Sequence, residues 1–309
     1  MNPMVPKMPN EAVPDLKTYL AEKRKRVEAA LQGYFPESEG LTSDLTKAMR
    51  YSLFAGGKRL RPILCIAGAE TVGGSGREVL PVACALELIH TYSLIHDDLP
   101  LMDDDDLRRG KPTNHKVFGE PIAVLAGDGL LTEAFSLMTS ADISGTISPQ
   151  ILLRAISLIS RAAGYDGMVG GQAVDIKWEG KKADLPVVKF THIHKTGALI
   201  TGSVASGAIL GGADESQIEA ITSYGEKIGL AFQISDDILD IEGDSKTMGK
   251  RAGADEEKGK MTYPAVLGLN ESKRIQLELV QTAVLDLQEF GSRAEPLRQI
   301  ARYIIERKK

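Results

Sequence analysis

The chain has 309 residues, 43% hydrophobic but only 5% aromatic, with a formal net charge of −5. That length, without a low-complexity tract or composition break, predicts a single domain over residues 1–309 with an aliphatic, helix-leaning core. The acidic balance and the lack of a basic stripe exclude the footprint of a nucleic-acid binder, and Cys65 and Cys84 form neither a C-x-x-C motif nor a disulfide framework, which fits a cytoplasmic location.

Residues 1–14 carry Pro3, Pro6, Pro9 and Pro14 with mixed charge and no apolar run, so they predict a flexible N-terminal extension and no signal peptide. Helical spacing begins at Leu16, with Leu20, Val27, Ala30 and Leu31 on one face. After breaks at Tyr34–Leu41 and at Gly56, the run Gly56-Gly57-Lys58-Arg59-Leu60-Arg61-Pro62 opens a further helix. Its glycines let backbone approach a phosphate, and Lys58, Arg59 and Arg61 stand at the positive end of that helix, so the run reads as an anion site. Arg59 in place of Ser or Thr after Gly57-Lys58 excludes a Walker A loop. Basic residues at a helix start are also common on plain solvated surface.

Val79–Ile95 is the most apolar stretch; Pro81, Glu87 and His90 interrupt it and it is short for a bilayer, so it predicts a buried core helix and no stable membrane insertion. Directly after it, Asp97, Asp98 and Asp103–Asp106 place six carboxylates in ten residues. Such groups raise one another's pKa unless cations neutralise them. Pro100 predicts a helix end near Leu99, with Asp97 in the last turn and Asp103 on a loop that can fold back. Negative charge at a helix C-terminus adds to the demand for a cation, although Arg108 and Arg109 could serve a purely solvated acidic loop.

Farther on, Gln233-Ile234-Ser235-Asp236-Asp237-Ile238-Leu239-Asp240 lies inside an apolar helix beginning near Glu215. Gln233, Asp236 and Asp240 share one face. Oxygen ligands without nearby His or Cys suit Mg²⁺ or Ca²⁺, and no EF-hand pattern is present. No alternating strand and no internal repeat interrupts the helical pattern. The expected fold is all-α: a bundle of about ten to twelve helices around a central cavity.

Carboxylates that call for a divalent ion, together with Arg and Lys that call for phosphate, define a site for diphosphate esters bridged by metal. No Ser/His/Asp triad or reactive cysteine is evident; His90, His96, His115, His192 and His194 leave acid–base roles open.

These ordered motifs, with Gly170-Gly171-Gln172, His194-Lys195-Thr196-Gly197 and Gly259 to Pro264, resemble the trans-isoprenyl diphosphate synthases (polyprenyl synthetases), most of all the bacterial farnesyl type. The resemblance covers nearly all of the chain after the first ten residues and implies a prenyltransferase of the isoprenoid synthase fold, usually homodimeric. It further implies that Asp97, Asp103 and Asp236, with Asp240 through water, hold about three Mg²⁺ ions on an allylic diphosphate. Arg108, Lys195 and Lys250 would grip that diphosphate, with Lys260 a further substrate-binding residue, while Gly57, Lys58, Arg61, His90 and Arg109 hold isopentenyl diphosphate. Thr196, Gln233 and the Lys195 carbonyl would steady the allylic cation. The basic tail Arg302–Lys309 would either close over the isopentenyl site or remain solvated.

Product length is carried by the tail pocket. Tyr92 lies about 7.5 Å down the helix from Asp97 and could stop growth at fifteen carbons, although ideal geometry turns it about 140° away, nearer to the flank than Ser93 or Ile89. The Arg108–Glu120 segment also resembles geranylgeranyl synthases. A class I terpene cyclase would need no second diphosphate pocket, and a non-catalytic partner subunit would be expected to lose one aspartate motif; an acidic Ca²⁺-binding module leaves the basic motifs unused.

Overall fold

The computed structural model describes residues 15–37, 39–140, 143, 145–181, 184–242 and 262–307. Helical spacing becomes helix throughout. In chain order these are α1 Leu16–Tyr34, α2 Ser43–Leu53, α3 Leu60–Thr71, α4 Leu80–Asp97, α5 Asn114–Phe118, α6 Glu120–Met138, α7 Pro149–Ala163, α8 Met168–Trp178 and α9 Leu185–Thr191. They continue with α10 Ala198–Leu210, α11 Glu215–Glu242, α12 Tyr263–Leu267, α13 Leu269–Asp286 and α14 Glu295–Glu306. Local chemistry sets their starts: Asp15, Ser148, Asp184 and Thr262 accept from amides of the first turn, and Pro149, Pro186 and Pro264 sit just inside.

The expected core helix is α4; Val82 through Ile89 are all buried, and its neighbours α3 and α10 are equally enclosed. Helices apolar on every side belong at the centre of a bundle. α3 and α10 feed two cores from opposite faces. Cys65, Ile66, Ala69, Leu199 and Ile209 join the cluster around α4, α6 and α7. Ile63, Leu64, Ala67, Ile200 and Val204 join the cluster around α11, α13 and α14. Their close approach depends on small residues, for a Cβ at Gly207 would collide with the Cys65 carbonyl and one at Gly68 with that of Val204.

Three local features depart from the sequence reading. α4 ends at Asp97, two residues before the expected stop, with Asp98 as its cap. The segment expected to be only a break around Gly110 forms a hairpin, β1 Leu107–Arg108 paired with β2 Lys111–Pro112. Its two-residue turn has φ of +55° at Arg109 and +76° at Gly110, the left-handed pair that matches strand twist. Between α9 and α10, His192–Gly197 form a π-helical turn, a local widening that recurs at functional sites.

α6 is long and apolar enough to cross a membrane by composition alone. One face, with Ala123, Ala126, Leu130 and Ala134, packs against α4, while Val124 and Leu125 remain exposed.

Candidate active site

The aspartate loop folds back as its sequence suggests. Leu99 and Met102 close a turn around Pro100, and the Asp103 amide donates to the Asp97 carbonyl at 2.9 Å. Asp97 and Asp103 therefore stand on adjacent walls of one turn. Burial pushes the Asp97 carboxyl up to about 6; Lys195 opposes this and Asp103 adds to it. A carboxylate so placed favours a proton or a cation.

Asp98 has a separate task. It is buried and accepts from Arg108 Nε at 2.7 and 2.8 Å and from its Nη2 at 2.5 Å. Burial raises its pKa and Arg108 works against that rise. The bidentate pair fixes the guanidinium at the loop edge. Arg109, on the turn of the hairpin, reaches the other way and donates to the Gly56 carbonyl. Its guanidinium lies over Gly57, where a Cβ would come within 2.8 Å of it; Gly57 also has φ +129°. The glycine is thus required twice, for conformation and for approach.

The basic motif divides its residues. Arg59 does not face a ligand, in contrast to the anion-site reading: with φ +53° it turns inward, 3% exposed, and donates to Glu87 and to the Leu53 carbonyl, both at 2.7 Å. Left-handed backbone at the helix start sends its side chain into the core. Arg61 lines a cavity, and burial pulls its guanidinium down to about 10, with Glu87 opposing and Arg109 adding. His90 is held well below its ordinary value by burial and then by Arg61, Arg109, Arg108 and Arg59. A neutral imidazole in the field of these arginines can donate to an anion without adding charge.

That cavity, about 330 Å³, brings much of the predicted site together: Arg61, His90, Tyr92, Asp97 and Lys195 line it. Tyr92 is 6% exposed, its hydroxyl pushed up to about 12 by burial and by Asp97. Ser93 lines the cavity beside it, whereas Ile89 is fully buried elsewhere. Met102, Met168, Val169, Ala173 and Ile176 complete an apolar flank. Gln172 also lines it, with both side-chain amide atoms buried and unpaired. Burying such an amide costs about 1–3 kcal/mol per group, which a bound polar ligand would offset.

Lys195 stands on the π turn, held by Asp175 at 2.6 Å. Burial lowers its pKa, but Asp175 and Asp97 outweigh that and the net shift is upward, so it stays charged. Gly171 of α8 lies against the Lys195 backbone without room for a Cβ, and Gly229 of α11 lies against Gly197. Those contacts carry Lys195 and Thr196 between α8 and α11. Gln233 is one turn beyond Gly229, and both it and Thr196 are half-buried.

On α11, Asp236 accepts from Arg307 at 2.6 Å. Desolvation by the surrounding protein raises the Asp236 pKa, opposed by Arg307 and, more weakly, by Lys58, although its side chain is 47% exposed. Lys58 lines a second hollow with Arg24, Phe232 and Arg307, away from the cavity of Arg61 and His90. Asp240, half-buried, lies one turn beyond Asp236. Asp237 points to the other side, bonding His192 Nε2 and the Tyr263 amide, each at 2.8 Å. Lys250 and Lys260 lie outside the described residues. Sequence reasoning missed the holding roles of Asp98 and Asp175, which lie 10 and 20 residues from Arg108 and Lys195, and no local pattern signals either pairing.

Among the described residues, no three His, Cys, Asp or Glu groups stand close enough to hold an ion unaided. A donor set of one or two carboxylates per wall suits Mg²⁺, which keeps waters and takes its remaining oxygens from a bound phosphate. The donor chemistry fits such an ion.

Residues 42–299 match the polyprenyl synthetase family. The chain belongs to that family. It is 52% identical over 258 residues to the farnesyl diphosphate synthase of Geobacillus stearothermophilus, covering 84% of this chain and 86% of that protein. It is 48% identical over 294 residues to the large subunit 1 of the chloroplastic heterodimeric geranylgeranyl pyrophosphate synthase of Arabidopsis thaliana, covering 94% and 79%. Its fold superimposes on the geranylgeranyl pyrophosphate synthetase of Pyrococcus horikoshii with a TM-score of 0.87 at 31% identity, over 95% of this chain and 98% of that one. This polyprenyl synthetase is therefore a prenyltransferase with the isoprenoid synthase fold, as its motifs led us to expect.

Proposed function

We propose that this prenyltransferase, acting as one domain over 1–309, condenses isopentenyl diphosphate with dimethylallyl and then geranyl diphosphate to give (2E,6E)-farnesyl diphosphate. One observation carries the reading: a single cavity has Asp97 and Lys195, Arg61 and His90, and the buried ring of Tyr92 in its lining. Two anion-holding groups and an aromatic stop are what a chain-elongating site needs.

Asp97, Asp103 and Asp236, with Asp240 through water, would hold Mg²⁺, about three ions in all, which supplies Lewis-acid neutralisation of the departing diphosphate. Arg108, braced by Asp98, and Lys195, braced by Asp175, grip the allylic diphosphate, with Lys250 and Lys260 as further contacts. Arg61, His90 and Arg109, packed on Gly57, take isopentenyl diphosphate, and Lys58 would reach it from the separate hollow that it lines with Arg24, Phe232 and Arg307. When the allylic C–O bond breaks, Thr196, Gln233 and the Lys195 carbonyl direct oxygen dipoles at the cation. The isopentenyl double bond attacks it, and the released diphosphate accepts the proton lost in elimination. Met102, Met168 and Ala173 keep water from quenching the cation.

A geranylgeranyl product is the second reading, favoured by the 48% identity to the Arabidopsis protein over 94% of the chain. The Arg61–His90 pocket stands against a cyclase, which needs no second diphosphate. The reading extends to a homodimer through the open side of α6, where Val124 and Leu125 are exposed, and to a cytoplasmic setting, supported by the unbridged, buried Cys65 and Cys84.

The test is a product-length assay with Mg²⁺, labelled isopentenyl diphosphate and dimethylallyl diphosphate, with Tyr92→Ala alongside. A C15 product that lengthens in the variant is expected; C20 from the wild type would select the second reading, and no consumption of isopentenyl diphosphate would refute both.

A further inference from the structure

Tyr92 and His96 are four residues apart on α4 and line the same cavity. Their rings meet edge to face, with centroids 5.7 Å apart and planes at 80°. The His96 ring is itself held from outside α4, for its Nε2 lies 3.0 Å from the Val124 carbonyl of α6. A carbonyl only accepts, so Nε2 carries the proton and donates. The slot that admits the ring exists because residue 127 is glycine: a Cβ there would run into three atoms of the His96 imidazole. Thus α6 grips His96, and His96 presents its ring to Tyr92.

We propose that His96 is a positioning residue for product length: anchored on α6 at Val124 and Gly127, it holds the Tyr92 ring across the tail cavity. This rests on Tyr92 being the stop in the proposed function. A tyrosine with a free edge has other staggered rotamers; the edge-to-face contact narrows that choice, and a growing chain meets a fixed wall. Geometry, not the His96 charge, does the work.

The experiment compares wild type, Tyr92→Ala, His96→Ala, Gly127→Ala and the double variant Tyr92→Ala/His96→Ala. Each purified enzyme is given labelled isopentenyl diphosphate and an allylic primer, and the ratio of the next-longer product to the principal one is read by chromatography. That ratio is independent of turnover, so a general loss of activity does not move it. His96→Ala is expected to raise it about fivefold, the population change an aromatic edge contact supports, and Gly127→Ala should act in the same direction by filling the slot. The double variant should match Tyr92→Ala, because His96 acts through the ring. Should His96→Ala fail to fold, His96→Gln keeps a donor for Val124 without the ring and is read the same way.

If Tyr92→Ala lengthens the product while the His96 and Gly127 variants keep the wild-type ratio, the positioning role is wrong and the stop survives. A double variant longer than Tyr92→Ala also overturns it, since His96 would then be a wall in its own right. An unchanged ratio in Tyr92→Ala removes the stop and this inference with it.

Discussion

Asp97→Asn should make the metal-free enzyme more stable at neutral pH while nearly abolishing its activity. The magnitude follows from the cost of ionising Asp97 where it stands. Its carboxyl titrates near 6 in the folded chain instead of 3.8, chiefly through burial. At about 1.4 kcal/mol per tenfold in proton affinity, keeping it ionised costs the native state about 2–3 kcal/mol at pH 7.5. The direction is opposite to that of a salt-bridged aspartate. A raised folded value means that the native state binds the proton more tightly, so the penalty is fully present above about pH 6, fades as pH falls, and is gone below about pH 4. Asparagine carries no charge and should escape it. Urea denaturation in EDTA should therefore show Asp97→Asn more stable by about 2–3 kcal/mol at pH 7.5 and by only about 1 kcal/mol at pH 4.5. Excess Mg²⁺ should narrow the gap at pH 7.5 by stabilising only the wild type, and turnover in the variant should drop by roughly 10² or more. A variant no more stable than wild type in EDTA at pH 7.5, or equally stabilised at both pH values, would refute the argument.

Three other outcomes follow from named contacts. Glu87→Gln strands the guanidinium of Arg59, 1% exposed at its side chain, and should cost about 3 kcal/mol in a urea titration; a loss below about 1 kcal/mol would mean that Arg59 relaxes onto Glu28, now 3.9 Å away. Gly57→Ala forces a side chain into φ +129° and against Arg109. It should raise KM for isopentenyl diphosphate about tenfold with a smaller change for the allylic substrate, and equal effects on both would remove Gly57 from the isopentenyl pocket. Asp175→Asn weakens the hold on Lys195 at 2.6 Å and should lower kcat/KM for the allylic substrate about tenfold; unchanged kinetics would show that Asp97 and Asp103 suffice to place the lysine.

The class of the fold and the chemistry of the site were legible in the residue pattern. Apolar residues at helical spacing, as at Leu16, Leu20, Val27 and Leu31, have one way to bury a stripe, and Val79–Ile95, apolar nearly all round, had to be central. Six carboxylates in ten residues followed by two arginines state their need for cations and anions without any coordinates. Likewise Pro100 marks the end of α4 to within two residues and the turn that returns Asp103 to Asp97, because that geometry is local. Which charges face a ligand and which hold another residue was set by the packing of distant segments. Arg59 and Arg61 look alike in sequence, yet a left-handed φ sends Arg59 to Glu87, 28 residues away, and leaves Arg61 in the cavity. Asp97 and Asp98 are neighbours, but one enters the cavity and the other braces Arg108. The π turn under Lys195, its partner Asp175 and the slot at Gly127 for His96 arise from helices packed at van der Waals distance. Such contacts depend on backbone separations held to within a few tenths of an ångström between segments far apart in the chain, and no local periodicity encodes them.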